Sequence, residues 1–202
     1  SILANKIASK WNIKLFSTYA STEMSTAFTE CEHWVGGHHH PELIIVEVLD
    51  DENKPVKEGE IGELTITTIG VEAMPLIRFK TGDIVKLHTD TCACGRNTLR
   101  VGPVVGRKQQ MIKYKGTTLY PPAMNEVLND FDLIENYLIE IYTNDLGTDE
   151  IVVKIVVSNP SEGFLTEVKD HFRAKLRVTP KIEFVSKEVL NPIVFNPMNR
   201  KP

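Results

Sequence analysis

"GRKQQMIKYKG" spans Gly106–Gly116 and runs directly into "TTLYPPAMNEVL". Between its two glycines the stretch holds four cationic side chains, Arg107, Lys108, Lys113 and Lys115. The residues before it form short alternating segments separated by turns, whereas the residues after it begin with a helix pattern. We therefore predict two folded parts that meet here, one of residues 1–108 and one of residues 109–202.

The first part has the patterns of a β-rich fold. Residues 1–19 predict a short helix followed by a strand, "IKLFSTY". "LIIVEVLD" (Leu43–Asp50) is an apolar run typical of a strand, and "ELTITTI" alternates apolar and hydroxylated side chains, as a strand with one buried face does. "PLIRFKTGDIVKLH" predicts a pair of strands broken at Thr81–Asp83, where Gly82 favours a turn.

The second part predicts helices and strands in alternation. A helix begins at Pro121, where proline is tolerated in the first turn. "NYLIEIYTND" and "DEIVVKIVVS" predict two strands, and "SEGFLTEVKDHFRAKLRV" predicts an amphipathic helix with Leu165, Val168, Phe172 and Leu176 on one face. "PKIEFVSKEVL" predicts a closing strand. The order helix, strand, strand, helix, strand is typical of a small open-faced α+β unit.

Charge and composition exclude several classes of protein. The formal net charge is −4, whereas dedicated nucleic-acid-binding domains are usually basic, so no nucleic-acid partner is expected. No apolar run approaches the length of a membrane-spanning helix, and no membrane association or signal peptide is indicated. Three cysteines without a secretory signal favour a reducing compartment, which predicts a cytoplasmic protein.

Three short motifs have side chains suited to a nucleotide. In "STYASTEMS", Tyr19 suits stacking on a base, Thr22 suits a phosphate oxygen, and Glu23 suits Mg²⁺, which prefers oxygen ligands. The alternative is a helix N-cap at Ser21 or Thr22. In "IRFKTGD", the Asp83 carboxylate can accept two hydrogen bonds from the vicinal hydroxyls of a ribose, or it is simply a turn residue.

The third motif is the stretch quoted first. The guanidinium of Arg107 can reach a phosphate or a ribose, and Gly116 would let the backbone approach a ligand closely. The alternative is a solvated basic loop. Each motif is weak alone, so it is their order along the chain that carries information.

That order resembles the adenylate-forming (AMP-binding) enzymes, and "EAMPLIRFKTGD" and "CACGR" resemble their phenylacetate-coenzyme A ligase group. The resemblance covers nearly the whole chain. It implies an α+β fold in which residues 1–108 form the β-rich end of the large AMP-binding domain. Residues 109–202 would be the small C-terminal lid domain, which rotates between two half-reactions.

The resemblance also implies an activity and a site. A carboxylate attacks the α-phosphate of ATP to give an acyl-adenylate, and the thiol of coenzyme A then displaces AMP. Tyr19 would stack on adenine, the turn at Ser21 and Thr22 would contact phosphate, and Glu23 would bind Mg²⁺. Asp83, assisted by Arg107, would hold the ribose hydroxyls.

Two positions depart from the family's pattern. The family has an acidic residue or lysine two places after the arginine, where this chain has Gln109, so the hinge is in question. The family's catalytic lysine lies near the C-terminus in a loop of small residues. In "NPMNRKP" it matches Lys201, with Arg200 in place of the usual glycine, and its charge would stabilise the reacting phosphoryl group.

The cysteines predict a separate metal site. Cys92 and Cys94 form a C-x-C pair, and Cys31 lies in "ECEHWVGGHHH", so three thiolates and one imidazole would make a closed structural Zn²⁺ site. His38 is the expected fourth ligand because the family also has a histidine at this spacing, while His33, His39 and His40 are alternatives. Otherwise Cys31 is a small buried hydrophobe and the histidines lie in a solvated loop.

The family's Ser/Thr/Gly-rich phosphate loop is absent from these residues, and so is a Walker-type loop. We therefore expect a C-terminal fragment of a ligase that does not catalyse adenylation alone. A zinc-stabilised nucleotide-binding or regulatory module without catalysis stays open, as does an adenylating enzyme with another acceptor. Which aryl acid is activated, and whether the protein forms a homo-oligomer, cannot be derived from these residues.

Overall fold

The computed structural model describes residues 2–144 and 149–195 of the chain. The fold consists of two compact units, Leu3–Gln110 and the residues from Met111 onward. This division falls inside the Gly106–Gly116 stretch, while the exact domain boundary after residue 108 stays a prediction. None of the described helices is long and apolar enough to cross a bilayer.

The first unit is β-rich and contains an eight-stranded sheet. The sheet is preceded by helix α1 (Ile2–Trp11) and ends in a 3₁₀ turn, Lys108–Gln110. In chain order its strands are β1 (Thr18–Ser21), β2 (Ser25–Glu30), β3 (Gly37–His39), β4 (Ile44–Leu49), β5 (Ile61–Thr68), β6 (Phe79–His88), β7 (Arg100–Val101) and β8 (Gly106–Arg107).

These strands form one antiparallel sheet in the order β1-β2-β3-β7-β6-β5-β4, with β8 paired to β6. The predicted alternation of buried and exposed side chains in β5 is only partly observed. Leu64 and Ile66 are buried as expected, but Glu63 and Thr65 are buried as well, so both faces of β5 are covered. The core residues are Met24, Ala27, Phe28, Ile44, Val48, Leu64, Ile66, Val85, Leu87 and Val101.

The predicted break at Thr81–Asp83 is wrong, because β6 runs through it. Glu63 pairs with Ile84 and Thr65 pairs with Lys80, so three residues of β6 lie opposite the single residue Leu64. This is a β-bulge, in which the strand bends without ending. Gly82 has φ +77° there, a conformation that glycine adopts without strain.

The second unit packs helices on a three-stranded sheet. In chain order its elements are β9 (Ile112–Tyr114), β10 (Thr117–Leu119), α2 (Pro121–Asn129), β11 (Ile134–Thr143), β12 (Asp149–Val157), α3 (Glu162–Leu176), β13 (Lys181–Phe184) and α4 (Lys187–Val194). Strands β11 and β12 are antiparallel, and β12 and β13 are parallel across α3, as a strand–helix–strand connection requires.

The predicted order of helices and strands is confirmed from α2 to β13, whereas the β9–β10 hairpin that precedes α2 was not predicted. The last prediction is wrong in its second half, because "PKIEFVSKEVL" leaves the strand at Phe184 and begins α4 at Lys187. The core joins the sheet to α2 and α3 through Ile112, Tyr114, Leu119, Met124, Val127, Leu128, Ile151, Val153, Ile155, Phe164, Val168, Phe172, Val178 and Ile182. The observed fold is therefore the predicted α+β arrangement.

Candidate functional site

The "YASTE" motif lies on a β-hairpin. Strands β1 and β2 pair antiparallel, and residues 22–24 form the turn between them. The alternative interpretation, a helix N-cap at Ser21 or Thr22, is therefore wrong. Tyr19 lies opposite Phe28, and the two rings stack with their centroids 5.6 Å apart.

The Asp83 carboxylate is presented by the bulge in β6. The Thr81 hydroxyl donates to the carbonyl oxygen of Leu64 at 3.0 Å and accepts from the backbone N–H of Asp83 at 3.1 Å. Asp83 itself is buried, with 8% of its surface exposed. Thr81 therefore fixes the backbone at the point where the aspartate leaves the sheet.

Three of the predicted nucleotide-binding side chains meet at Asp83. The Tyr19 hydroxyl donates to Oδ2 at 2.5 Å, and Nε of Arg107 donates to Oδ1 at 3.1 Å. Burial and the hydrogen bond to Asp83 raise the pKa of Tyr19 well above its ordinary value, so Tyr19 stays protonated and remains a donor. The pairing of β6 with β8 brings Arg107 opposite Asp83 in the ladder.

Glu23 lies close to this group. Its side chain is exposed in the hairpin turn, a hydrogen bond with the Ser21 hydroxyl lowers the pKa of its carboxyl, and the charge of Arg107 acts in the same direction. Thr22, beside it, is exposed. The Glu23 carboxylate therefore lies within reach of the charge of the Arg107 guanidinium, which itself bonds Asp83, and such a set of side chains suits a polar ligand with both phosphate and hydroxyl groups.

The other predicted positions add no further contact to the group around Asp83 among the described residues. Lys201 lies outside the described residues. Gln109 is exposed in the 3₁₀ turn. Lys115 and Gly116 form the turn between β9 and β10, so Gly116 has an architectural role that needs no ligand.

The four predicted metal ligands form a cluster. The ligand atoms of Cys31, His38, Cys92 and Cys94 all lie within 4.8 Å of one another. The Cys31 and Cys92 sulfurs are 3.6 Å apart, and Cys94 Sγ is 3.4 Å from Nε2 of His38. Ligands around a tetrahedral Zn²⁺ are separated by about 3.5–3.8 Å, so these two distances are close to those of a zinc site.

Local structure explains how the cluster forms. Cys92–Gly95 is a tight turn closed by a 2.8 Å bond from the Gly95 N–H to the Cys92 carbonyl, and Gly95 has φ +87°. Nδ1 of His38 is hydrogen-bonded to the Thr98 hydroxyl at 2.9 Å, which leaves Nε2 directed toward the sulfurs. Cys31 reaches the same place from the loop between β2 and β3.

The alternative histidines have other partners. His33 lies 3.9 Å from a carboxylate oxygen of Glu32, and His40 lies 3.4 Å from one of Glu42. His39 Nδ1 contacts the backbone oxygen of Leu99 at 3.3 Å. Within the described residues, His38 is the histidine grouped with the three cysteines.

Burial and nearby hydrogen-bond donors shift the pKa values of two of the thiols in opposite directions. Burial raises the pKa of Cys31, whereas the backbone N–H of Arg96 lowers the pKa of Cys94. Burial, followed by the charges of Arg96 and Arg100, lowers the pKa of His38, so the imidazole is held in the neutral form that binds metal.

Sequence reasoning did not identify Thr81, Thr98 or Arg100. Thr81 supports the backbone of Asp83, Thr98 orients His38, and Arg100 is buried beside the cysteine loops. Only Thr81 had a sequence signal, because it adjoins the Gly-Asp pair. The other two depend on pairings between distant strands, which no local pattern reveals.

Comparison with known proteins gives a consistent set of relatives. The chain is 38% identical over 135 residues to a phenylacetate-coenzyme A ligase of Thermus thermophilus, which covers 65% of this chain and 30% of that protein. It is 33% identical over 123 residues to one of Pseudomonas putida, covering 58% of this chain and 26% of the relative. Over about 60% of its length this chain is thus similar to phenylacetate-coenzyme A ligases. No protein-family model matches it.

Similarity to a solved ligase structure extends over most of the chain. A crystal structure of 2-hydroxyisobutyryl-CoA ligase, in the postadenylation state with an acyl-AMP, matches 91% of this chain and 42% of its own. The TM-score is 0.80 at 25% identity. The matched segments span 30% and 26% of the length of these two phenylacetate-coenzyme A ligases.

Proposed function

We propose that this chain is the C-terminal part of an AMP-forming acyl-coenzyme A ligase acting on an aryl acid such as phenylacetate. The observation that carries the proposal is the convergence of Tyr19 and Arg107 on the buried Asp83 carboxylate, next to Glu23. The phenylacetate-coenzyme A ligases among its relatives support the choice of acid and of thiol.

The geometry gives each side chain a task. A carboxylate has about four lone-pair sites, and Tyr19 and Arg107 use one each, so Asp83 can still accept from two ribose hydroxyls. The Tyr19 hydroxyl and the Arg107 guanidinium hold the carboxylate in place while this happens. The exposed guanidinium edge of Arg107 suits a ribose or phosphate oxygen.

The reaction would proceed at the other end of the nucleotide. The aryl carboxylate attacks the α-phosphorus, pyrophosphate leaves, and the coenzyme A thiol later displaces AMP to give the thioester. Ser21 and Thr22 would bind phosphate oxygens, and Glu23 would hold Mg²⁺, which neutralises phosphate charge when bound. Lys201 is proposed to stabilise the same charge during adenylation.

The test uses the protein expressed at its natural full length. ATP should raise its melting temperature, and labelled pyrophosphate should exchange into ATP when phenylacetate or a related aryl acid is present. Asp83→Asn should lower exchange by at least about 100-fold, because the nucleotide loses its anchor. Glu52→Gln, which changes an exposed carboxylate paired with Lys54 at the surface, is the control and should keep full exchange.

The outcomes separate the competing functions. Thermal stabilisation by ATP without exchange for any acid would contradict the ligase and favour a non-catalytic nucleotide-binding module. Exchange that is not followed by coenzyme A-dependent product release would mean another acceptor. Unchanged exchange in Asp83→Asn would remove the proposed ribose contact even if the ligase activity is real.

We further propose that Cys31, His38, Cys92 and Cys94 bind a structural Zn²⁺. The spacing of the donor atoms and their burial support a closed site away from solvent. The metal would join the loop after β2 to the loop after β6 and would take no part in acyl transfer. All three cysteines are free thiols, which fits the cytoplasm as the proposed location.

Elemental analysis measures this directly. Protein purified without chelator should contain about one zinc per chain, and Cys92→Ser should lose most of it, because one thiolate of the tetrahedral set is gone. Metal-free wild-type protein that takes up no Zn²⁺ on titration would contradict the proposed site.

A further inference from the structure

Arg100 is a charged side chain in a place where charge is costly. It lies on β7 with 1% of its surface exposed. An isolated cation in such a position would be strongly destabilising, so its contacts must compensate. Nη1 donates to the carbonyl oxygen of Val35 at 2.9 Å, and Nη2 donates to the carbonyl oxygen of Asp90 at 3.0 Å and to its Oδ1 at 2.5 Å.

These contacts connect the two loops that carry the cysteines. Val35 belongs to the loop between Cys31 and His38, and Asp90 lies two residues before Cys92. The guanidinium is a rigid planar fork, so its two ends fix the distance between the loops. The backbone of Arg100 adds to this, because β7 pairs with His38 of β3 on one side and with His88 of β6 on the other.

Charge gives the same residue a second task. Three thiolates, one neutral imidazole and Zn²⁺ carry a net charge of −1, and this charge would be buried. Arg100 supplies a buried positive charge whose field reaches His38. Its Nε makes no hydrogen bond within the described part of the chain, so this N–H of the cation remains uncompensated by any protein acceptor there.

We propose that Arg100 is a positioning residue for the cysteine–histidine cluster. Its guanidinium holds the two loops at ligating distance before metal arrives and balances the charge of the thiolates once metal is bound. This rests on the proposed zinc site. It predicts that metal affinity depends on a side chain that does not touch the metal.

The experiment measures Zn²⁺ affinity by competition with a chromophoric chelator. Arg100→Lys keeps the charge but loses the fork, and it should weaken Zn²⁺ binding by about 10- to 100-fold, as loss of a residue supporting a ligand shell does. Arg96→Lys is the matched control. Arg96 lies in the loop of Cys92 and Cys94, is exposed, and supports the Cys94 turn through its backbone N–H. Lysine keeps that backbone and the positive charge that acts on Cys94 and His38, so the Zn²⁺ affinity of Arg96→Lys should match that of the wild type.

Two further readouts distinguish positioning from a general loss of stability. Addition of Zn²⁺ should raise the melting temperature of Arg100→Lys by less than it raises that of the wild type. The thiolate-to-metal absorption of the Co²⁺-substituted protein should also change in Arg100→Lys and remain unchanged in Arg96→Lys. Equal zinc-induced stabilisation in Arg100→Lys and wild type would reduce Arg100 to a purely structural residue and overturn the proposal.

Asp90→Asn provides a second variant if Arg100→Lys fails to fold. It removes only the carboxylate partner, whose side chain is 61% exposed, and should weaken Zn²⁺ binding in the same direction by at most about tenfold. Unchanged affinity in every foldable variant would refute the role of Arg100 while leaving the zinc site intact. Failure of the wild type itself to bind Zn²⁺ would refute the zinc site, and the two failures are thus separable.

Discussion

Asp83 is held by two donors on the protein before any ligand is considered. Because the Tyr19 pKa is raised by burial and by Asp83 itself, the phenol does not ionise near neutral pH and its hydrogen bond persists. Arg107 holds the second oxygen while most of its own side chain is exposed. A ribose would therefore meet a carboxylate whose orientation is already set, which lowers the entropy cost of binding.

Asp130 offers a second residue whose charge has a measurable consequence. It follows α2, and His171 on α3 contacts its carboxylate at 2.7 Å while Lys175 donates to the same oxygen. The hydrogen bonds from His171 and then Lys175 lower the pKa of the Asp130 carboxyl below its ordinary value of 3.8. The ionised carboxylate therefore links the two helices.

Asp130→Asn should lower the free energy of unfolding by roughly 0.5–1 kcal/mol near neutral pH. A carboxyl whose pKa is lowered in the folded state stabilises above its unfolded pKa, and this contribution is lost as pH falls through the folded pKa. The difference between variant and wild type should thus be constant above about pH 5 and shrink as the pH falls below 3.8 toward the lowered pKa of the folded state, as measured by urea titrations.

Asp170→Asn is the control for this prediction. Asp170 also pairs with an arginine on α3, Arg173, at 3.0 Å, but both side chains are more than half exposed. Its substitution should change the unfolding midpoint little at any pH. A difference in Asp130→Asn that stays constant with pH would show that packing, and not charge, is responsible.

The residues of the cysteine–histidine cluster show what a sequence pattern can predict about a site. Cysteines are few and chemically specific, so Cys31, Cys92 and Cys94 could be proposed as a set before their positions were known. Their meeting depends on β3 pairing with β7 and β7 with β6. Arg100 was not predicted because no local sequence pattern distinguishes a buried arginine from an exposed one. Its burial results from the pairing of β7 with β3 and β6.

At the scale of elements, local patterns predicted the longer helices and strands, but the strands β2, β3 and β7 to β10 had no predicted counterpart and β1 begins only at Thr18. The predictions failed where tertiary pairing prevailed. Gly82 suggested a turn, yet pairing with β5 on one side and β8 on the other keeps β6 continuous, and the glycine is absorbed in a bulge. The bulge is also what presents Asp83. The wrong strand prediction and the candidate nucleotide site thus have the same physical origin.

The β1–β2 hairpin and helix α4 also differ from what their local sequence suggests, the first being a hairpin in place of a helix cap and the second a helix in place of a strand. The "YASTEMS" motif has the hydroxyl and carboxylate of a helix cap, but the following residues pair back on β1, so a hairpin forms. After β13, Ser186 is the extended residue before α4, which begins at Lys187, although the strand was predicted to continue through "KEVL". Such short segments are decided by their neighbours and not by their own composition.

At the scale of the whole molecule, the two units have separate cores. The buried cluster around Phe28 lies within Leu3–Gln110, and the cluster around Phe172 lies within the residues from Met111 onward. Each unit therefore buries its own apolar surface, and that burial is the main source of stability for a folded unit. We expect the stability of each unit to respond mainly to substitutions in its own core.

Phe172→Ala tests this expectation. Phe172 is fully buried between α3 and the sheet, so its truncation should cost the second unit about 3–5 kcal/mol. Both tryptophans, Trp11 and Trp34, lie in the first unit, so tryptophan fluorescence reports on that unit alone. In urea, the circular dichroism of α2 and α3 should be lost at a lower concentration than in the wild type, while the fluorescence transition should stay in place.

Phe28→Ala is the reciprocal control, because it truncates an equally buried ring in the first core. It should shift the fluorescence transition and leave the circular dichroism of the second unit largely unchanged. If Phe172→Ala moves both transitions together by the same amount, the two units unfold as one cooperative body. The free energy of each core would then be shared, and the separation seen in the buried clusters would have no thermodynamic counterpart.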